Sequence, residues 1–165
     1  MTSITAGSTL GAYWELGKPR LSMMAVFAVI AGAYMAWPSR SSSPPLDLLV
    51  VTTLGTFLAA IGAAALNMYR ERHLDPLMHR TQMRPLPPRN VLVFGISMSV
   101  LGVLLVLFGA QPLAGDGSRA SGQLNWAAGG LCALIVVSYV LVYTPMKTRT
   151  PLNTLVGAIP GALPP

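Results

Sequence analysis

Charged side chains along this chain are gathered into short clusters, separated by long runs that hold none. Leu21 to Ser39, Leu48 to Tyr69, Asn90 to Gly115 and Ala120 to Met146 contain no Asp, Glu, Lys or Arg. A helix crosses a hydrocarbon layer of roughly 30 Å with a run of about 20 such residues, so the pattern predicts four transmembrane helices. The runs are apolar on every side and lack the short alternating segments of spanning strands, which argues against a barrel. After Arg149 a further uncharged run, Thr150 to Pro165, is marginal for crossing and predicts a fifth helix beginning near residue 152. The expected fold class is an all-α membrane protein, one transmembrane domain over residues 1–165. Because nothing after Pro165 anchors the fifth helix in water, the sequence reads as the N-terminal part of a longer protein. Small residues are frequent inside the runs, at Leu54 to Ala65 and Ala127 to Ala133, and Gly62 and its like are read as helix-packing positions.

Composition agrees: 53% of the residues are apolar and 10% charged, which places the chain in the membrane class. The placement of the basic residues adds an orientation. Lys18, Arg20, Arg70, Arg72, Arg80, Arg84, Arg89, Lys147 and Arg149 fall on one side of the predicted spans, and only Arg40 and Arg119 on the other. The positive-inside rule puts the N-terminus, the 70–89 loop and the 147–150 loop in the cytoplasm, and a bacterial plasma membrane fits best. The same residues account for the basic balance through helix ends and anionic headgroups, with no nucleic acid required. Residues 1 to 16 have neither the basic start of a cleaved signal nor the Arg-rich character of a transit peptide, so the first helix is expected to act as its own insertion signal. Cys132 is a lone mid-helix thiol and is read as packing.

The candidate chemistry lies in the inner loop. Asn67, Glu71 and Asp75 are four residues apart, and a helix continuing past the membrane surface would set them in one stripe. Mg²⁺ takes one or two carboxylates and completes its shell with water and phosphate oxygens, so the stripe is a reasonable half-site for a Mg²⁺-diphosphate, with Arg80 and Arg84 as planar phosphate partners. Plainer readings stand beside this one. Glu71 would pair with Arg70 or Arg72 on a solvated helix end, and Asp75 before Pro76 would cap a new helix, breaking the stripe there. His73 and His79 read as surface residues, and Tyr69, Tyr143 and the three Trp as interface anchors.

The run NMYRERHLD at residues 67–75, followed by MHRT at 78–81 and RPLP at 84–87, resembles the first Asp-rich motif of the UbiA-type intramembrane prenyltransferases. KPR at 18–20, YT at 143–144 with Lys147 and Arg149, and TPLN at 150–153 leading to GAIPGALPP at 157–165 strengthen the likeness and point to its haem branch. The resemblance implies the N-terminal half of a UbiA-like helical bundle, in a family of about nine spans with two Asp-rich motifs. It makes Asn67, Glu71 and Asp75 the catalytic first-motif ligands of a metal-bound diphosphate, Glu71 and Asp75 through Mg²⁺. Arg80, Arg84, Lys147 and Arg149 become diphosphate partners. The implied reaction moves farnesyl from farnesyl diphosphate to a vinyl group of haem B, giving haem O. Two departures are visible: His73 stands where haem-type members often carry an acid, and a second Asp-rich motif is not among these residues. A quinone precursor as acceptor, and a non-catalytic membrane fragment that pairs with a second chain, are the alternative readings.

Overall fold

A computed structural model describes residues 9–36, 46–72, 86–111 and 123–146, with the side chains of 9, 10 and 36 outside the description. Every regular element among them is helical: α1 (Thr9–Leu16), α2 (Pro19–Ala36), α3 (Leu46–Glu71), α4 (Pro88–Gly109), α5 (Trp126–Val137), a π turn (Ser138–Tyr143) and a last turn, α6 (Thr144–Met146). In lipid each backbone N–H and C=O must be satisfied within its own segment, which is why charge-free runs fold this way. Leu46–Glu71, Pro88–Gly109 and Trp126–Met146 are long and apolar enough to cross a membrane, while Pro19–Met35 is a shorter apolar stretch. The expected fifth helix lies outside the described residues.

The ends of the helices follow local chemistry. Pro88 opens α4, where a missing N–H costs nothing. Asn125 caps α5 by accepting a bond from the Ala128 N–H at 3.0 Å. The Asn125 N–H itself donates to the Leu107 carbonyl at 2.9 Å, tying the start of α5 to the end of α4. As a result α5 starts at Trp126, later than the Ala120 expected for the last charge-free run, and α4 ends at Gly109, short of Gly115.

The main packing is the antiparallel pair of α3 and α4. Gly55, Ala59 and Gly62 on α3 face Val106, Gly102, Ser99 and Gly95 on α4, all of them buried. The backbones approach so closely that a Cβ on Gly62 would sit 2.7 Å from the Gly95 carbonyl oxygen, and one on Gly55 would sit 2.9 Å from that of Gly102. Small residues at such a seam give helices without a hydrophobic driving force the van der Waals contact that holds them. Cys132 of α5 joins Ala59, Val106 and Ala110 in the core of this pair, in keeping with a packing role.

α1 was not foreshadowed by a charge-free run. It is an eight-residue helix that docks Leu16 against Ala65 of α3 and Val91 of α4, with Tyr13, Tyr69, Leu86 and Phe94 around them. Lys18, with φ 45°, turns the chain from α1 into α2 in the left-handed region. The Ser22 hydroxyl holds that turn by donating to the Gly17 carbonyl at 2.9 Å.

Candidate functional site

The polar residues predicted for the site divide by position. Asn67 and Glu71 stand one turn apart at the end of α3, on the same face. Asp75, Arg80, Arg84, Lys147 and Arg149 lie outside the described residues, as do His73 and His79.

Asn67 is 2% exposed, deep for an amide in a membrane helix. Its Oδ1 lies 2.5 Å from the hydroxyl of Thr144, a residue 77 positions later in the chain. Thr144 is itself buried, and its hydroxyl also reaches the Tyr139 carbonyl at 2.9 Å. The end of the Trp126–Met146 span is thus fastened to the end of α3 at the residue that begins the candidate motif. Sequence reading had not singled out Thr144 for a role of its own.

The π turn explains how Thr144 arrives there. Pro145 has no N–H to give to the carbonyl four residues back, and its ring would strike that carbonyl in a regular α-helix. The widened turn at Ser138–Tyr143 precedes it, and the Thr144 N–H closes on the Tyr139 carbonyl. Single π turns inside α-helices occur often at functional sites. Tyr139 and Tyr143 stack across this turn with ring centroids 5.1 Å apart.

Around this junction the side chains are ordered by their own partners. The Arg72 guanidinium lies 4.2 Å over the ring of Tyr69 and donates to the Tyr69 carbonyl at 3.1 Å. Tyr69 therefore packs between the α1 cluster and Arg72, a tighter role than interface anchoring. A separate groove of about 480 Å³ opens among α1, α2, α3 and α4, lined by Tyr13, Trp14, Pro19, Ile61 and Phe94 with Gly11 and Gly17. Among the described residues its lining has no charged group to hold a diphosphate.

An amide and a carboxylate one turn apart are oxygen donors of the kind a hard cation prefers. Among the described residues no group of three His, Cys, Asp or Glu comes together.

A multi-pass helical bundle that gathers its polar groups at one end of two helices is the class of protein these features define. Residues 25–165 match the profile of the UbiA prenyltransferase family, and the chain belongs to that family. It is 44% identical over 131 residues to a protoheme IX farnesyltransferase of Sorangium cellulosum, covering 76% of this chain and 41% of that one. It is 41% identical over 157 residues to the protoheme IX farnesyltransferase of Myxococcus xanthus, covering 92% and 47%. A third relative of that name, from Solibacter usitatus, is 37% identical over 164 residues, covering 93% and 51%. The chain spans about half the length of these relatives. No solved structure matches it significantly.

Proposed function

We propose that this chain carries the first diphosphate-binding half of an intramembrane enzyme that transfers farnesyl from farnesyl diphosphate to a vinyl group of haem B, forming haem O. The observation that supports it most is the bond between Asn67, which begins the candidate motif, and Thr144 beyond the π turn, in a chain of the UbiA family. In the reaction the bond between farnesyl C1 and oxygen breaks, and diphosphate leaves with the electron pair. The allylic carbon joins the outer vinyl carbon, and water adds to the inner one and gives up a proton, leaving the hydroxyl.

This chain's residues serve the first step. Asn67, Glu71 and Asp75 hold the diphosphate end, and Arg80, Arg84, Lys147 and Arg149 offer forked or point charges to its oxygens. A divalent cation, Mg²⁺ in this reading, supplies charge neutralisation of the departing diphosphate when bound. The apolar spans keep water from the allylic cation, which would otherwise be quenched. The basic loop faces the cytoplasm of a bacterial plasma membrane in this reading, where a soluble diphosphate headgroup is available.

The test is deletion of the gene in its native cell, followed by pigment and quinone extraction. Haem O should vanish while haem B persists, and the intact gene should restore it. Unchanged haem O with a depleted quinone pool would move the acceptor to a quinone precursor, and no change in either would remove the enzymatic reading.

A further inference from the structure

A buried amide in a membrane helix must find its hydrogen bonds within the protein. For Asn67 the structure supplies Thr144, and the geometry there carries more than a tie between helices. The Thr144 hydroxyl is within bonding distance of both Asn67 Oδ1, at 2.5 Å, and the Tyr139 carbonyl, at 2.9 Å. A hydroxyl has one proton and two lone pairs, and a carbonyl only accepts. Both contacts are satisfied when Thr144 donates to Tyr139 and the amide is turned by 180°, so that Nδ2 donates to Oγ1. The two ends of an amide have the same shape, and the hydrogen-bond network decides between them. That relay gives every bond its own proton and engages the nitrogen end of Asn67.

We propose that Thr144 is a positioning residue for the diphosphate site: by holding the amide nitrogen of Asn67 it reserves the amide oxygen for a metal-bound diphosphate. The inference rests on the function proposed above. The π turn is the device that achieves it. One residue is about 100° of rotation on an α-helix, so the extra residue of a π turn re-aims everything after it, and Thr144 is the first residue after Tyr143. A regular helix through 138–143 would carry the hydroxyl to another face and leave Asn67 buried without this partner.

A bond that merely glues two helices predicts a stability effect alone, so the decisive measurement is ligand binding. The chromosomally encoded protein is purified in detergent, and Mn²⁺ is titrated in the presence of inorganic diphosphate while free Mn²⁺ is read by electron paramagnetic resonance. Thr144→Val, close in volume and without the hydroxyl, should weaken binding about ten- to hundredfold, the usual effect of losing a group that orients a ligand. Thr144→Ser keeps the hydroxyl and should stay within about threefold of the unaltered protein. Asn67→Ala should weaken binding at least as much as Thr144→Val, and Thr144→Val should add nothing in that background, because one residue acts through the other. Should Thr144→Val fold poorly, Thr144→Ala is compared with Thr144→Ser on the same terms. Binding by the hydroxyl-free variants equal to that of the unaltered protein would overturn the inference. So would a Thr144→Ser variant as weak as Thr144→Val, or a full Thr144→Val effect without Asn67. If the unaltered protein fails to bind Mn²⁺ with diphosphate, or Asn67→Ala binds normally, the diphosphate site itself falls and this inference with it.

Discussion

Asn67 and Glu71 are one helical turn apart and sit in different surroundings: the first is buried, the second half-exposed at the end of α3. A neutral amide satisfied by a hydroxyl is tolerated in the first position, whereas a carboxylate there would be an uncompensated charge. Asn67→Asp, melted without divalent metal, should therefore lose stability, by several kcal/mol if the charge is retained. Glu71→Gln should leave the melting midpoint nearly unchanged and cut prenyl transfer instead. A fall in midpoint for Glu71→Gln as large as that for Asn67→Asp would show that the burial argument is mistaken. Beyond the described residues, the proposed metal-directed role of Asp75 separates it from His73. Asp75→Ala should lower prenyl transfer on the order of a hundredfold or more, the scale of a lost charge-stabilising group. His73→Ala should lower it far less, and the reverse order in a haem O assay would reassign the metal-binding residues.

The seam between α3 and α4 makes its own prediction, because two classes of glycine are present. A Cβ on Gly62 would meet Ser99 and the Gly95 carbonyl, while one on Gly130 or Gly32 would meet nothing within 4 Å. Gly62→Ala should thus cost about 1–3 kcal/mol, as overpacking does, and Gly130→Ala should be neutral or stabilising by up to about 1 kcal/mol through helix propensity. Reversible unfolding in mixed detergent measures both, and equal effects at the two positions would contradict the close approach. The placement of the spans was readable from charge-free runs because the bilayer imposes their length, and Gly62 as a packing site from its small neighbours. The bounds were less so, since Asn125, an uncharged cap, starts α5 inside a run that looked continuous. α1 escaped notice because its apolar face is only eight residues long and needs α3 and α4 to bury it. The π turn was invisible for a different reason: a helix apolar on all sides has no periodicity from which a slip of register can be seen, although Pro145 was there to signal a break. A hydrogen bond between residues 77 apart leaves no local trace at all.

For the molecule as a whole, the alternation of basic clusters predicts an orientation that labelling can test. Single cysteines at Ser41 and Ser118 should react with an impermeant reagent in intact cells, and one at Thr81 should not. Cys132 is buried and contributes little background. The opposite pattern would place the Asn67 end of the bundle outside the cell. The glycine-lined seam bears on how the bundle is assembled. Gly and Ala surrender no side-chain rotamers when they are packed, so α3 and α4 associate with little ordering of side chains. They are also consecutive in the chain, so their pairing closes only the segment between them. The segment that joins them, carrying Asp75, Arg80 and Arg84, then has both ends fixed by that pairing. Its loop-closure entropy is met by helix packing in the lipid, and is not left to be met by the diphosphate on arrival.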